Sequence, residues 1–149
     1  MRYRPGFFII ALGVILLILV ACGKKASPSL PERVMPLRVA KLEAGLEKGT
    51  VVLKGSVIGP EGKGRVSGDV MGCRVYHARY DTGDTPCETC PIEYDGFKLI
   101  KGEVITGEGF YCQVPGEAST GTHFFEVRLI GADGAVGSLS NRAKLTIYD

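Results

Sequence analysis

The 149-residue sequence predicts an all-β fold: a seven-stranded antiparallel sandwich over residues 37–149, behind an apolar leader and a proline-rich tether. Three observations predict it. Runs rich in Val, Ile, Tyr, Phe and Thr are the residue types that suit a pleated, half-buried surface, and several alternate with period two. The 21 glycines and 8 prolines fall mostly between those runs, where turns need them. No segment after the leader repeats apolar residues at the 3.6-residue period of an amphipathic helix.

Residues 1–21 come first. Arg2 and Arg4 precede an uncharged run from Phe7 to Ala21. The run is about 15 residues, short of the roughly 20 a helix needs to cross a bilayer. A positive start, an apolar middle and a small residue before the cut mark a secretory signal peptide. Leu19-Val20-Ala21-Cys22 resembles the lipobox of bacterial lipoproteins. That resemblance implies cleavage before Cys22, a diacylglyceryl group on its sulfur, and acylation (palmitate or similar) of the new amino terminus. Several chains then hold the protein, because one chain alone binds a membrane only marginally. Gly23 in place of Asp after the cysteine implies the outer membrane, facing the periplasm, by the same resemblance.

Residues 22–36 follow as a linker. Pro28, Pro31 and Pro36 remove amide donors and keep the backbone extended. At about 3.1 Å per residue such a tract reaches roughly 40 Å, past the headgroups. Removing residues 1–21 takes away two arginines and no acid, so 16 basic residues face 16 acidic ones. A neutral chain lacks the basic face that nucleic-acid binding requires. About 110 residues then remain, enough for one core and one domain.

The strands follow in order. Leu37 to Ala44 alternates loosely, and Glu47-Lys48-Gly49 is a turn. Thr50 to Ile58 is β-rich throughout. Gly59-Pro60-Glu61-Gly62-Lys63-Gly64 is a loop by composition, not a phosphate loop, because no Gly-Lys-Ser/Thr and no helix follow. Val70 to Tyr80 puts Cys73, Val75 and His77 on one face and Arg74, Tyr76 and Ala78 on the other. Asp81 to Pro91 is a loop holding Cys87-Glu88-Thr89-Cys90. Gly96 to Lys101 is a short strand whose lysines suit a sheet edge. Gly109 to Val114 is the next. Thr122 to Ile130 alternates clearly, with Phe125, Val127 and Leu129 inward and Glu126 and Arg128 outward. Ala132-Asp133-Gly134 is a hairpin turn, and Ala143 to Tyr148 closes the chain.

From Pro36 onward the chain resembles a fibronectin type III domain. Leu37 to Leu53 looks like its first two strands, and Gly72-Cys73-Arg74-Val75-Tyr76 stands where its third has Gly-Tyr-x-Val-Tyr. Val114-Pro115-Gly116, Gly121-Thr122 and the Phe125/Val127 alternation resemble its fifth and sixth strands. Gly137-Ser138-Leu139-Ser140-Asn141 resembles the approach to its last. The resemblance implies a sandwich that works as a binding module. The chain departs from the pattern where Gly55 replaces the second-strand Trp and His123 replaces the corner Tyr, and it contains no Arg-Gly-Asp. An immunoglobulin-like sandwich of different wiring is the alternative architecture.

Four cysteines remain beside Cys22. An oxidising compartment favours disulfides. With the register above, Cys73 and Cys112 point inward from facing sheets and form one candidate bridge. Cys87 and Cys90 form the other and stiffen the loop; a swap stays open, since four cysteines allow three connectivities. Redox catalysis by Cys87 and Cys90 would want a helix amino terminus to lower a thiol pKa, and Pro86 and Pro91 place the pair in an extended loop. Zinc would need a second close pair or a His at set spacing, and haem attachment a His where Pro91 stands. His77, at a strand end, is expected to be partly buried and hydrogen-bonded. His123 is expected to give a ring nitrogen to a backbone carbonyl. Neither has a nucleophile beside it.

The sequence therefore points to a non-catalytic, lipid-anchored module of the bacterial cell envelope. It needs no cofactor or metal. It is tied to the membrane through Cys22 and meets an envelope protein or polymer through loops or an edge strand. The alternative is a periplasmic thiol–disulfide protein using Cys87 and Cys90.

Overall fold

The computed structural model describes residues 32–59, 70–107 and 109–148. The signal segment, Cys22, the first part of the tether and most of the Gly59–Gly64 loop lie outside the described residues. Every regular element described is a strand: β1 (Val34–Met35), β2 (Arg38–Glu47), β3 (Thr50–Ile58), β4 (Val70–Tyr80), β5 (Lys98–Lys101), β6 (Ile105–Thr106), β7 (Gly109–Val114), β8 (Gly121–Gly131), β9 (Val136–Gly137) and β10 (Ala143–Ile147). The seven longer strands overlap the seven runs marked in the sequence, with shifted ends: β2 continues to Glu47, which the sequence places in a turn, and β5 begins at Lys98 and not at Gly96. The other three are two residues each, too short to carry a period-two signal.

The strands form two sheets. One runs β2-β3-β7-β6; the other runs β1-β9-β8-β4-β5, with β10 also on β8. All pairs are antiparallel but one, β1 on β9, which is parallel. The folded unit begins at Glu32, so residues 32–36 belong to the sandwich and not to the tether. Met35 is buried there, and the Arg33 carbonyl accepts from Val136 N–H at 2.8 Å. An apolar residue flanked by Pro31 and Pro36 reads as linker; only a partner strand 100 residues away gives it a core to enter.

The sheets face each other across a core built from alternate residues of β3, β4, β7 and β8. Val51, Leu53, Cys73, Val75, Phe125, Val127 and Leu129 are at most 1% exposed, as the period-two faces require. The absent Trp leaves Phe110 and Phe125 as the large fillers of this cluster. Gly55, which stands in the Trp position of the resemblance, lies tight under β2: a Cβ there would sit 2.7 Å from Val39 Cγ1 and 3.0 Å from the Ala40 carbonyl. The register of β2 on β3 slips between Ala40 and Glu43, and Lys41 takes φ 51°. Lys48 and Gly49 both have positive φ, the requirement of a two-residue turn whose twist matches its strands.

Candidate functional site: a bridged loop and an aromatic edge

Between β4 and β5 the chain runs from Asp81 to Phe97 without a strand or helix. It is nonetheless well anchored. Cys87 and Cys90 are bonded to each other, with Cα atoms 5.1 Å apart, and Cys90 N–H donates to the Cys87 carbonyl at 3.0 Å. From the approach to β10, Arg142 reaches this loop. Its Nη1 donates to the carbonyls of Glu88 and Cys90, each at 2.9 Å. A guanidinium carries several donors in a fixed fork, so one side chain holds two carbonyls of the bridged turn.

Phe124 explains why Arg142 stands there. It alternates out of the core with Glu126 and Arg128, yet it is 1% exposed. The Tyr80 ring meets its edge at 5.9 Å, and the Arg142 guanidinium lies 5.9 Å above it. Burying such a ring stabilises by about 2–3 kcal/mol. Glu126 lies 3.5 Å from Arg142 Nε. Tyr94 sits beside this pair, and its hydroxyl is pushed up, first by burial and then by the Glu126 charge, with Arg142 opposing.

Beyond the loop the aromatic surface opens to solvent. Tyr76 packs against Tyr94 and Phe97, with ring centroids 6.0 and 5.8 Å away. The Arg74 guanidinium lies 4.6 Å over the Phe97 ring, a favourable cation–π arrangement, and is itself fixed by Glu32 at 2.6 Å. Phe97 is 51% exposed and Leu99 46%. Leu99 pairs with Arg74 across the β4–β5 ladder, so Arg74, Tyr76, Phe97 and Leu99 make one outward strip along the last strand of its sheet. The Phe97–Leu99 alternation is the sequence signal for this strip. Arg142 and Tyr94 had none, because their partners lie on distant elements.

Cys73 and Cys112 meet across the core as the inward register requires. They are thiols in the structure: Cys73 donates to Cys112 Sγ at 3.7 Å. The hydrogen bond to Cys112, then burial, push the Cys73 thiol far above its usual value. Neither reaches the 87–90 loop. No helix follows Cys90, where residues 91–97 are irregular, so no helix dipole favours a thiolate at Cys87.

The two histidines, singled out separately in the sequence, are joined to each other. His77 Nε2 and His123 Nδ1 are 2.9 Å apart, and the ring planes are within 9° with centroids 5.1 Å apart. The nitrogens therefore lie between the two centroids, the geometry of an in-line bond between edges. His123 Nε2 donates to the Ser119 carbonyl at 2.7 Å, the backbone bond expected of it at the corner position. His77 Nδ1 lies 2.9 Å from Glu117 Oε2. Lys98 Nζ donates to Glu117 Oε1 and to the Pro115 carbonyl, each at 2.8 Å. His123 is fully buried. Among the described residues no group of three or more His, Cys, Asp or Glu side chains is arranged to hold a metal ion.

Fold and site together define an all-β sandwich with a disulfide-closed loop laid over one sheet and an aromatic strip at its rim. Compared with solved structures, the chain is similar to the third fibronectin III domain of the human KIAA0343 protein, at 16% identity over 85% of this chain and 94% of that one, TM-score 0.48. It is also similar to a myokine structure, at 14% identity over 80% of this chain and 100% of that one, TM-score 0.37. No family model matches the chain. No curated protein matches it either.

Proposed function

We propose that this protein is a lipid-anchored module of the bacterial cell envelope that works by contact and not by catalysis. The leader ending in Leu19-Val20-Ala21-Cys22 supports the anchor: cleavage there would leave a lipidated Cys22 and place the sandwich on the periplasmic side of the outer membrane. The observation that carries the contact reading is the outward strip of Arg74, Tyr76, Phe97 and Leu99. Aromatic and arginine side chains dominate binding hot spots. This strip is held in place before any partner arrives, by the Glu32 ion pair, by Tyr94 and by the bridged loop under Arg142. A surface already ordered loses less freedom on binding. The partner is an envelope protein or polymer that presents an apolar, stackable face.

Two experiments test this. A photo-crosslinking residue at Phe97 should capture a partner in intact cells, while the same residue at Leu46, exposed on the other sheet, should not. Equal capture at both positions would remove the strip from the reading. Cys22→Ser should release the protein from the membrane fraction; retention would remove the lipid.

A further inference from the structure

We infer that His77 and His123 share one excess proton, forming a singly charged imidazole pair that latches the 115–120 segment onto β4. The chain of contacts runs from the Glu117 carboxylate to His77 Nδ1, from His77 Nε2 to His123 Nδ1, and from His123 Nε2 to the Ser119 carbonyl. Both ends of this chain are acceptors. A backbone carbonyl has no hydrogen to give, and an ionised carboxylate accepts only. Each of the three contacts needs one hydrogen. Two neutral imidazoles bring two. Without a third, two ring lone pairs face each other across 2.9 Å.

The third hydrogen belongs to the imidazoles and not to Glu117. Burial works against the Glu117 carboxylate, but the Lys98 hydrogen bond and the charges of His77 and Lys98 outweigh it and hold the group below its ordinary range. A fourth hydrogen does not fit, because it would set two N–H groups against each other in the same gap. The pair therefore takes one proton and refuses a second, and its titration belongs to the pair and not to either ring. That refusal agrees with His77 lying below the usual imidazole value, lowered chiefly by burial.

Lys98 from β5 and Glu117 from the loop are the charges that bear on His77. Arg79, the cross-strand neighbour of His123, turns to the Thr120 carbonyl and Asp81. Leu145, opposite His123 on β10, and Phe125, stacked on His77 at 4.8 Å, are apolar. When the shared proton leaves, the lone-pair contact opens. Glu117 then keeps its contact with His77 Nδ1, but the path from His77 through His123 to the Ser119 carbonyl is cut, so the 117–120 segment is held to His77 by one link in place of two, beside its bonds to Lys98 and Arg79.

The chain has two histidines, so the test reads two resonances. In the full chain in detergent micelles, the two imidazole Cε1–H signals should move together with a single midpoint. Their combined displacement should equal that of one imidazolium. Amides of residues 117–120 should exchange faster above that midpoint. Two independent, full titrations with the fold intact would overturn the inference, as would two rings that stay neutral down to pH 5. Glu117→Gln provides the second test. A carboxamide can donate the missing hydrogen to His77 Nδ1, which satisfies the chain with both imidazoles neutral. The midpoint should fall by about one pH unit or more. An unchanged midpoint in this variant would overturn the inference.

Discussion

The side-chain amide of Asn141 pairs with both backbone groups of Leu42. Leu42 N–H donates to Asn141 Oδ1 at 2.7 Å, and Asn141 Nδ2 donates to the Leu42 carbonyl at 3.0 Å. Leu42 follows Lys41, where β2 slips register against β3. A bulge leaves a residue outside the ladder. Here an asparagine just before β10 completes the missing pair, and so ties the first long strand to the last.

Asn141→Ala should therefore cost about 1–3 kcal/mol, the range for stranding buried backbone donors and acceptors. Asn141→Asp keeps the acceptor for Leu42 N–H and loses the donor for its carbonyl, so it should fall between. Denaturant midpoints of the three proteins check the order, and equal stability of all three would show the pairing to be idle.

Gly72 is the second position where backbone geometry decides the outcome. A Cβ there would lie 2.1 Å from the Ile100 carbonyl oxygen, at φ 156°. That oxygen is part of the β4–β5 ladder and has no flexible end to move. Gly72→Ala should displace β5 and cost at least about 3 kcal/mol, within the range of strongly disruptive substitutions. It should also abolish partner capture at Phe97, because Leu99 lies on β5 and Phe97 leads directly into it. A stability loss without change in capture would separate the strip from the strand.

Cys73 and Cys112 stand ready for an inter-sheet bridge. Their sulfurs need to close from 3.7 Å to about 2.05 Å. In the oxidising compartment that the proposed function assigns to the protein, we expect this bridge beside Cys87–Cys90. Alkylation in denaturant without reductant should then label none of the four, and with reductant all of them. A loop of 39 residues corresponds to about 4 kcal/mol in the chain-entropy model, so reduction should lower the thermal midpoint. Labelling of Cys73 and Cys112 without reductant would show that they remain thiols, in which case native protein should react at neither, since both are buried.

Stability should fall as pH drops below about 6.5, the ordinary imidazole value. The sign follows from proton uptake. His77 is lowered by burial, with His123 and Lys98 acting the same way and Glu117 opposing. Below that value the unfolded chain binds protons on both histidines, whereas the folded pair admits one. Once the folded pair holds its one proton, the folded state is penalised by about 1.4 kcal/mol per pH unit. Glu117, also lowered, adds a loss near the carboxylate range as its contribution disappears. Urea midpoints from pH 7.5 to 5 check this; a flat or rising profile would contradict it.

The sequence alone determined the strands and their faces. Alternation is a local property, so Val75, Phe125, Val127 and Leu129 could be assigned inward one strand at a time, and Gly and Pro marked where each strand ends. The same local rule turned Cys73 and Cys112 inward, whereas the carbonyl partner of His123 was implied by the resemblance that puts it at the corner position. Everything that depended on which strand lies beside which was decided by the tertiary structure. Register brought His77 to His123, although 46 residues separate them. Phe124, which a period-two reading turns to water, is buried against Tyr80 and Arg142, and Arg142 is the side chain that also holds the 87–90 turn. A partner strand turned Met35 from tether into core. Local patterning specifies the side of a strand a residue takes, because that side is fixed by the residue's own backbone. Its neighbour is fixed by chain closure over tens of residues, and no period in the sequence encodes that.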